Sequence, residues 1–539
     1  MAKALAKQPF WGKEFLQFGL NVTDNAIMVP FQYMVEARNI MVGSTWARRK
    51  RPGLAYWNTD TSKETTSYPG NPLNSLDNNP IAGLVEFWRD TGSSQVRALL
   101  VRQGLKLWEI DGRTGAATDV PVKSGSTALP DLGIQDTKIC FNSYYGVIYW
   151  ASSNNDEFKY WDGTNYIDAT PPSAGNPKFL ATYKGRLVAA GFVGAGSRPF
   201  QVNLSKVNEA DNWTTGTGAN DGVSFVVDDV GDPDGVTGLC TFQNRLYVFL
   251  RRGIFSLSGT TGADMIRENV VTGIGAINNN CILPIGNDVY FLSERGLLSL
   301  KSSDKAITSE YGYMSRDIAK IYNEQLDRSK ESRWTMEYDE NENLLLISCT
   351  SVGSVENDIV LVYNTEKNVW TTWENINARS LAKVLVDRKS KILAGQENGT
   401  LALMGESLRK DFETIDYQSQ FLTGIYYPGK EADIEHVFEE VTVLCSAEST
   451  ATLTVQVSID SDILQTETLE LNTSGSRLTS TFVLGSSVLG KSVFTPKTIK
   501  LNGGRGFGIQ VRVIFPSSID VEFYGVLINS RPAGNRREI

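Results

Sequence analysis

Short apolar runs separated by polar turns dominate the chain from about residue 80 to about residue 405. Three of them, "KGRLVAA", "QNRLYVF" and "GNDVYFL", share one plan, in which a polar turn leads into a strongly apolar strand. Alternation with period two and turns rich in Gly, Asn and Asp are typical of antiparallel β-strands. The units recur at roughly 40–50 residues, the period of propeller blades. We predict a mainly β protein with a β-propeller of about seven blade-like units, in a range of about six to eight. An irregular pair of β-sandwiches is the alternative.

One segment, "SRDIAKIYNEQLDRSKES", departs from the strand pattern. Ser315 is a suitable helix N-cap, and apolar side chains follow it at near-helical spacing. These side chains are Ile318, Ile321, Tyr322 and Leu326. The spacing predicts one short amphipathic helix between two blades, packed against the propeller or against a neighbouring subunit.

Near residue 430 the pattern changes, and longer period-two stretches such as "TATLTVQVSID" and "FGIQVRVIFP" begin. A single core rarely extends beyond about 250–300 residues, so a chain of 539 residues is expected to contain more than one domain. We predict N-terminal strands that join or close the propeller over 1–57, the propeller with insertions over 58–425, and a C-terminal jelly-roll-like β-sandwich with its own core over 426–539. A protease should cut at "YYPGKEAD", Tyr426 to Asp433, where Pro-Gly and mixed charge indicate a linker.

A basic run interrupts the N-terminal strands at "WARRKRPGLAYW", residues 46–57. Arg48 to Arg51 are four consecutive cations, and Pro52-Gly53 follows as a turn. A nucleic-acid patch and a targeting signal are the alternatives to an ordinary strand and turn. Because propellers commonly close by pairing strands from both ends of the chain, we predict strands over about 33–57, within or beside the propeller. Alternate cations would face solvent or acidic partners.

Charge is distributed unevenly around a net value of −9. Residues 1–52 carry +5 and residues 500–539 carry +3, which leaves −17 for the middle of the chain. An acidic body with basic ends does not offer the contiguous basic surface that general nucleic-acid binding needs. No apolar stretch approaches the ~18 residues of a membrane span, and no apolar region follows the cations of "MAKALAKQPFW" as in a signal peptide.

Histidine and cysteine are scarce, which limits the catalytic mechanisms that the chain could support. The sole histidine, His436, is predicted to have a structural role near the start of a strand. The five cysteines are far apart, show no CxxC spacing and lie mostly in apolar strand-like runs: Cys140, Cys240, Cys281, Cys349 and Cys445. We predict buried, reduced thiols, as expected of assembly in a reducing cytoplasm.

A cluster of carboxylates in "VVDDVGDPDG" is the strongest metal candidate in the sequence: Asp228, Asp229, Asp232 and Asp234. Its spacing does not fit an EF-hand loop, and Asp-Pro-Asp-Gly is by itself a strong turn sequence, so these are weak candidates. No phosphate-binding loop is present, and we predict no cofactor and no metal. The motifs "WDGT" and "WEIDG" do not match sialidase repeats, although carboxylate pairs of the glycosidase kind stay open. We predict that the protein is not an enzyme.

Several stretches resemble the nozzle proteins of short-tailed bacteriophages, also called tail tubular protein B or phage stabilisation proteins. The opening "FGLNVTDNAIMVPFQYMVEARNIMVGSTWARRKRPG" is similar to the beginning of that family. "GDPDGVTGLCTFQNRLYVFLRRGIFSLSG" is similar to its mid-propeller stretch, and "NGGRGFGIQVRV" with the terminal "NRRE" to its C-terminal sandwich. The chain departs from the family in having a lone Gly19 where a glycine pair is common, and in an insertion at 208–235.

The resemblance implies a structural subunit of the virion tail, assembled in the host cytoplasm. Such subunits form a hexameric ring at the distal tail, extend and seal the DNA channel, and contact an adaptor protein, fibres or spikes and a plug or needle protein. Double-stranded DNA would pass without specific binding. The alternative function is a propeller glycosidase or depolymerase, or a lectin-like module, acting on a cell-surface glycan.

Acidic residues concentrate in one part of the predicted propeller. Val207 to Gly235 contains seven carboxylates and no cation. Because a duplex crossing a ring must not be retained by cations at its phosphates, we expect carboxylates to line or rim the channel.

Overall fold

Nearly all regular structure in the chain is β-strand. The computed structural model describes residues 6–11, 15–25, 28–43, 46–56, 79–90, 95–111, 117–130, 138–152, 157–192, 198–227, 235–301, 314–386, 389–404, 410–412, 415–428, 433–447, 450–471, 495–517 and 519–533. The N-terminal segment forms six strands: β1 (Ala6–Trp11), β2 (Gly19–Leu20), β3 (Tyr33–Arg38), β4 (Ile40–Val42), β5 (Arg48–Lys50) and β6 (Ala55–Tyr56).

Seven antiparallel sheets follow one another and form the blades of a propeller. Blade 1 contains β7 (Ile81–Asp90), β8 (Gln95–Gln103), β9 (Lys106–Asp111) and β10 (Ala117–Asp119). Blade 2 contains β11 (Ile139–Tyr144), β12 (Val147–Ser152), β13 (Phe158–Trp161) and β14 (Tyr166–Asp168). Blade 3 contains β15 (Phe179–Tyr183), β16 (Arg186–Ala190), β17 (Gln201–Leu204) and β18 (Val223–Val226). Blade 4 contains β19 (Val236–Phe242), β20 (Arg245–Leu250), β21 (Gly253–Ser258) and β22 (Ile266–Thr272).

The last three blades complete the circle. The described strands of blade 5 are β23 (Ile282–Ile285), β24 (Asp288–Ser293) and β25 (Gly296–Ser299). Blade 6 contains β26 (Thr335–Asp339), β27 (Leu344–Cys349), β28 (Ile359–Asn364) and β29 (Val369–Glu374). Blade 7 contains β30 (Ala378–Val386), β31 (Lys389–Gln396), β32 (Leu401–Leu403) and the N-terminal β6. The innermost strands lie side by side in chain order, and β30 returns to β7.

The repeated motifs of the sequence correspond to one position in the blades. "KGRLVAA", "QNRLYVF" and "GNDVYFL" are the turn and second strand of blades 3, 4 and 5. In blade 3 all five residues of β16 are buried. These strands are covered on both faces by neighbouring blades, so their sequences are almost continuously apolar, as in other sheets buried on two sides. The prediction of about seven blades in a mainly β protein is confirmed.

The propeller closes with a strand from the N-terminus, as predicted. Ala55 and Tyr56 of β6 pair antiparallel with Leu403 and Ala402 of β32, so blade 7 takes its outermost strand from the other end of the chain. Pairing of both chain ends in one blade makes closure of the ring depend on the N-terminal segment.

A β-sandwich follows the propeller. Its C-terminal strands are β33 (Gln420–Thr423), β34 (His436–Ala447), β35 (Ala451–Ile459), β36 (Asp462–Leu471), β37 (Thr495–Gly506), β38 (Ile509–Ile514) and β39 (Val521–Pro532). One sheet has the order β37-β34-β39-β5-β4, with β1 also on β39. The other has the order β3-β33-β38-β35-β36, and β3 also pairs parallel with β29 of blade 6. One sheet therefore continues from the propeller into the sandwich.

The sandwich does not have the separate core that we expected. Trp334 and Leu345 of the propeller belong to one continuous apolar cluster with Phe421, Val455 and Phe523 of the sandwich. The cluster is continuous because β3 lies between blade 6 and β33 and leaves no free edge there.

The predicted limits of the sandwich also differ from the observed pairing. β33 precedes the expected boundary at 425/426, and β1, β4 and β5 come from the N-terminal segment. At the expected cut site, Tyr426 exchanges two backbone hydrogen bonds with Ile509 at 2.9 and 3.1 Å. Residues 429–432 of that site lie outside the described residues.

The predicted helix between blades is not one regular helix. The segment forms a 3-10 turn at Arg316–Ile318, a π turn at Ile321–Gln325 and a second 3-10 stretch at Arg328–Arg333. Ser315 does not cap it, because its hydroxyl accepts the backbone N–H of Leu297 at 3.1 Å instead. The four apolar side chains are nevertheless buried in the core shared with the sandwich: Ile318, Ile321, Tyr322 and Leu326. Tertiary packing thus fixes the segment, as the apolar pattern indicated.

Three cations of the basic run are buried: Arg48, Lys50 and Arg51. The alternate pair Arg49 and Arg51 meets the expectation of solvent or acidic partners, whereas the burial of Arg48 and Lys50 differs from it. Arg48 donates to the carbonyl oxygens of Trp46 and Leu16, both at 2.5 Å. Lys50 donates to the carbonyl of Ser517 at 2.7 Å. Burial lowers the pKa of Arg48 to about 9. These side chains are inside because β5 is a sandwich strand, where carbonyl groups replace water as their partners.

The other two cations of the run have acidic partners, as expected. Arg49 lies 3.2 Å from Glu342 in a half-exposed ion pair. Arg51 donates to Asp411 at 2.9 and 2.7 Å, and both side chains are almost completely buried, at 0% and 3% exposure. Asp411 also accepts the backbone N–H of Leu54 at 3.0 Å. Pro52 and Gly53 lie in the irregular link between β5 and β6, and Trp57 lies outside the described residues.

Replacing the buried partner of Arg51 is expected to destabilise the protein severely. Asp411→Asn keeps the size of the side chain but leaves a guanidinium buried without a countercharge, so the free energy of unfolding should fall by about 3–5 kcal/mol. Urea unfolding followed by tryptophan fluorescence measures the loss. The matched control is Glu342→Gln in the exposed pair with Arg49, where the loss should stay below about 1 kcal/mol. Equal losses in the two variants would contradict this assignment.

Candidate functional site

Cations mark the beginning of several innermost strands of the propeller. Lys138 and Lys178 directly precede β11 and β15, Arg333 stands two residues before β26, and Arg379 is the second residue of β30. The innermost strands run in the same direction along the propeller axis, so their first residues meet at one axial end. This axial end is the candidate functional site.

Acidic partners reach the same end from turns. Glu294 and Glu397 follow the second strands of blades 5 and 7, and in an antiparallel blade the turn after the second strand lies beside the start of the first. Glu397 lies 2.8 Å from Arg333 and 3.8 Å from Arg379. Arg251, in the corresponding turn of blade 4, lies 2.5 Å from Glu294.

Glu331 connects the two groups through the 3-10 stretch. It lies 2.7 Å from Arg251 and is also in hydrogen-bond contact with Arg328. The Arg328 guanidinium lies 4.6 Å from the centre of the Tyr322 ring, a cation–π contact. The network therefore ties blades 4, 5, 6 and 7 together at one end of the axis.

Burial and like charge act together on Lys138. Its ammonium donates to the backbone carbonyl of Arg379. Burial, and then the positive charge of Arg379, hold the pKa of Lys138 well below its usual range. The hydrogen bond from Arg251 lowers the pKa of Glu294, which keeps that carboxylate ionised. A cavity of about 370 Å³ opens beside this network, and its lining includes the charged side chains of Lys138, Arg251 and Arg328 and the apolar ones of Phe179 and Ile277.

A second cavity of about 310 Å³ lies between the innermost strands along the axis. Glu337 lines it, and burial raises the pKa of this carboxyl to about 7. Glu86, another lining residue, accepts the backbone N–H of Leu385 at 3.0 and 3.2 Å, so it joins the innermost strands of blades 1 and 7. Lys383, also in the lining, is paired with Glu340 at 2.6 Å. A carboxyl with a pKa near neutrality is typical of proton-transfer sites and also of buried structural acids.

The residues that the sequence nominated for metal binding cannot be placed. Asp228, Asp229, Asp232 and Asp234 all lie outside the described residues. Within the part of the chain that the structure describes, no group of three or more His, Cys, Asp or Glu side chains could hold a metal ion.

The acidic stretch that we expected at a channel has three carboxylates in described positions. Asp221 accepts the backbone N–H of Gly218 at 2.9 Å and lies 3.7 Å from Lys206, so it stabilises the loop between β17 and β18. Glu209 is exposed and accepts from Asn212 at 2.7 Å. Asp211 lines a cleft between blades 2 and 3.

His436 and the cysteines occupy structural positions. His436 is the first residue of β34, is buried, and has its ring 6.3 Å from that of Phe438. All five cysteines are buried and free of disulfide bonds, as predicted. Burial raises the pKa of Cys281 to about 12, so this thiol is a poor nucleophile.

Sequence reasoning missed the axial network, although a signal was present. Aligning the innermost strands by blade places a cation at the start of four of them: Lys138, Lys178, Arg333 and Arg379. A charge that recurs at the period of the repeat, just before an apolar strand, indicates a shared axial surface rather than charged residues spread over the solvent-exposed surface. The acidic partners have no such signal, since they lie in turns of varied sequence.

Known structures that are similar to this chain include β-propeller domains. No protein-family profile matches the chain, and no curated protein sequence matches it. The WD40 β-propeller domain of Doa1 is similar at 10% identity and a TM-score of 0.37, over 66% of this chain and 98% of that one. The extracellular domain of BT4673 from B. thetaiotaomicron is similar at 10% identity and a TM-score of 0.39, over 79% of this chain and 49% of that one.

Glycosidases occur among the similar structures. An exo-β-1,3-galactanase from Phanerochaete chrysosporium is similar at 10% identity and a TM-score of 0.26, over 89% of this chain and 99% of that one. At such identity a likeness does not transfer catalytic residues. Among the helical segments of the described residues, none has the length and apolar character needed to cross a membrane.

The axial carboxyl of Glu337 is expected to make stability depend on pH. Its pKa of about 7, above the ordinary 4.5, means that the folded state binds the proton more tightly, so this group destabilises the fold as pH rises from 4.5 through 7. Glu337→Gln removes the penalty. Its gain in unfolding free energy over the unmodified protein should be about 1 kcal/mol larger at about pH 8.5 than at about pH 6. Urea titrations at both pH values measure it.

The control for this experiment is Glu342→Gln, which removes the half-exposed partner of Arg49. It should change stability by less than about 1 kcal/mol at both pH values. If Glu337→Gln gains nothing as the pH rises, the carboxyl is not held neutral by the fold.

Proposed function

We propose that the protein is a structural subunit of a phage tail nozzle. In this role it forms a ring at the distal tail, extends and seals the DNA channel, and provides the attachment site for other tail proteins during genome delivery. The observation that carries the proposal is the joining of both chain ends into one β-framework. The N-terminus closes the propeller through β6 and completes the sandwich through β1, β4 and β5.

The framework suits a subunit that bears load. The ten-stranded sheet that includes blade 6 and half of the sandwich offers no hinge at β3, because β3 is hydrogen-bonded on both sides. Buried contacts of Arg48, Lys50 and Arg51 fix the same junction. Two domains joined in this way move as one body, whereas domains with small polar interfaces move independently.

The proposed partners follow from the sequence resemblance. They are five further copies of the chain in a hexameric ring, a tail adaptor protein, fibres or spikes, and a plug or needle protein. Five buried free thiols fit assembly in a reducing host cytoplasm before the subunit becomes part of the virion tail. The proposed role is not enzymatic, and a glycosidase, depolymerase or lectin-like role on a cell-surface glycan is the competing function.

Ring formation is the first test of this function. Mass photometry of the purified protein should show either a species of about six chains or a monomer that adds to tails lacking their distal ring. Negative-stain images should then place it at the tail tip. The control is Asp411→Asn, which is expected to weaken the junction and lower the yield of rings. A monomer that adds to no tail but releases sugar from a host glycan would favour the competing function.

DNA passage gives a second expected outcome. If carboxylates line or rim the channel of the proposed ring, a duplex will be repelled rather than retained. The assembled ring should retain no labelled double-stranded DNA at about 0.15 M salt in a filter-binding assay. Tight retention that weakens steeply with added salt would show a basic channel and overturn this part of the proposal.

A further inference from the structure

A polar cleft lies between blades 2 and 3, apart from the axial end. It is an open space of about 1040 Å³, comparable to ligand sites that hold more than a single small group. One wall comes from Tyr149 of β12 and from the link between the blades at Thr170. The other wall comes from Asn203 of β17 and from the loop 209–215, part of the insertion that the sequence singled out.

The insertion is anchored so that its polar side chains keep their positions in the cleft. The indole N–H of Trp213 donates to the carbonyl of Thr170 at 2.8 Å, and its ring packs on the core between blades 2 and 3. Glu209 accepts from Asn212 at 2.7 Å, and Asn212 in turn accepts the backbone N–H of Thr214 at 3.2 Å. The cleft is therefore preorganised, which reduces the entropy lost when a ligand binds.

Asp211 has a buried oxygen that no described group satisfies. Its Oδ1 atom has no hydrogen-bond partner in the structure, while its carboxylate accepts the backbone N–H of Thr170. Burial raises the pKa of this carboxyl. A buried acceptor without a donor costs free energy, so the fold retains here a group that a ligand hydroxyl could satisfy.

Hydrogen-bond donors stand beside that acceptor. Gln201 donates to Asn203 Oδ1 at 2.9 Å, and Ser224 donates to the same oxygen at 2.7 Å. These two hydrogen bonds fix the orientation of the Asn203 amide and satisfy its oxygen. Among the contacts of the described residues, the Nδ2 group of this largely buried Asn203 and the hydroxyl of Tyr149 have no hydrogen-bond partner. Tyr149 and Asp211 line the same cleft, and the negative charge of Asp211 contributes, after burial, to the raised pKa of Tyr149.

An acceptor, an amide donor and a phenol that can do both, in a cleft that the aromatic residues Tyr149 and Trp213 also line, match the chemistry of a sugar. Each hydroxyl of a polyol donates one hydrogen bond and accepts others, while C–H faces pack on aromatic rings. An anionic ligand fits poorly, because the charged side chains that line the cleft are two carboxylates, Glu209 and Asp211, and one cation, Arg198.

We propose that this cleft binds a neutral saccharide through Asp211, Asn203 and Tyr149. The proposal is independent of the nozzle function and would give a nozzle contact with a glycan.

Saturation-transfer-difference NMR on the full chain tests the proposal. The probes are glucose, galactose, mannose and lactose at about 10 mM, with glucuronate as the anionic probe. At least one neutral sugar should show saturation transfer with a Kd of roughly 1 mM, as expected for an open cleft with few hydrogen bonds. Glucuronate should show at least about tenfold weaker binding.

Variants separate the cleft from other surfaces. Asp211→Asn keeps the shape and an acceptor oxygen but removes the charge, and Tyr149→Phe removes only a hydroxyl. Each should weaken sugar binding by about tenfold, because hydrogen bonds to charged groups or in desolvated sites are worth that much. The matched control, Asp119→Asn, changes an exposed carboxylate that pairs with Lys106 in blade 1, and binding should be unchanged.

Each outcome decides the proposal. A lack of transfer to every neutral sugar, preference for glucuronate, or equal binding by Asp211→Asn and the unmodified protein would overturn it. If Asp211→Asn unfolds, Tyr149→Phe carries the same test. Failure of ring assembly would overturn the nozzle function while leaving this measurement intact, because the sugar assay uses the isolated chain.

Discussion

The ion pair between Arg51 and Asp411 is the contact on which the arrangement of the two β-layers depends. Arg51 leaves the sandwich strand β5 just before the chain enters β6, the closing strand of the propeller. Asp411 follows blade 7 just before the chain enters the sandwich. The pair also gathers Asn39, at 3.1 Å from Arg51, and the ring of Tyr417, at 3.7 Å from the guanidinium carbon. Both crossings between the layers thus meet at one buried charge pair.

The two chain crossings at this ion pair explain why the propeller and the sandwich share a core. A propeller closed by an N-terminal strand forces the preceding residues to leave its rim, and here they are used to build the second layer. β3 covers the outer edge of blade 6, and Gly19 lets the chain pass close to that blade. Gly19 has a φ of +75°, and a Cβ there would lie 2.5 Å from Cγ1 of Val369. A side chain at this position would force the two layers apart.

The sequence predicted the features that repeat and failed on those that occur once. Blades and their number follow from a period-two pattern with a regular spacing, and β6 follows from the general need to close a ring. The positions of Arg48 and Lys50 could not be predicted, because a strand of consecutive cations is indistinguishable from a solvated edge until its partners are known. Those partners are carbonyl groups of Leu16, Trp46 and Ser517, which carry no sequence signature.

The same limit applies to the irregular segment after blade 5. Its apolar spacing correctly marked the buried side chains, but local propensity could not foresee that Leu326 would bond to Ile321 in a π turn rather than continue an α-helix. Nor could composition show that the acidic insertion in blade 3 would hold Asp211 in a cleft instead of adding to a general acidic surface.

Charge location bears on the proposed role more than net charge does. In the most basic run of the chain, Arg51 is paired with Asp411 between the propeller and the sandwich. Cations at the axial end are paired with Glu294, Glu331 and Glu397. Cations held in ion pairs with carboxylates of the same chain are less able to release counterions from DNA, because that release requires direct contact with phosphates. A DNA-conducting ring built from such a chain would use its positive charge to hold its own layers together. Its many carboxylates would then set the sign of the field that a passing duplex meets.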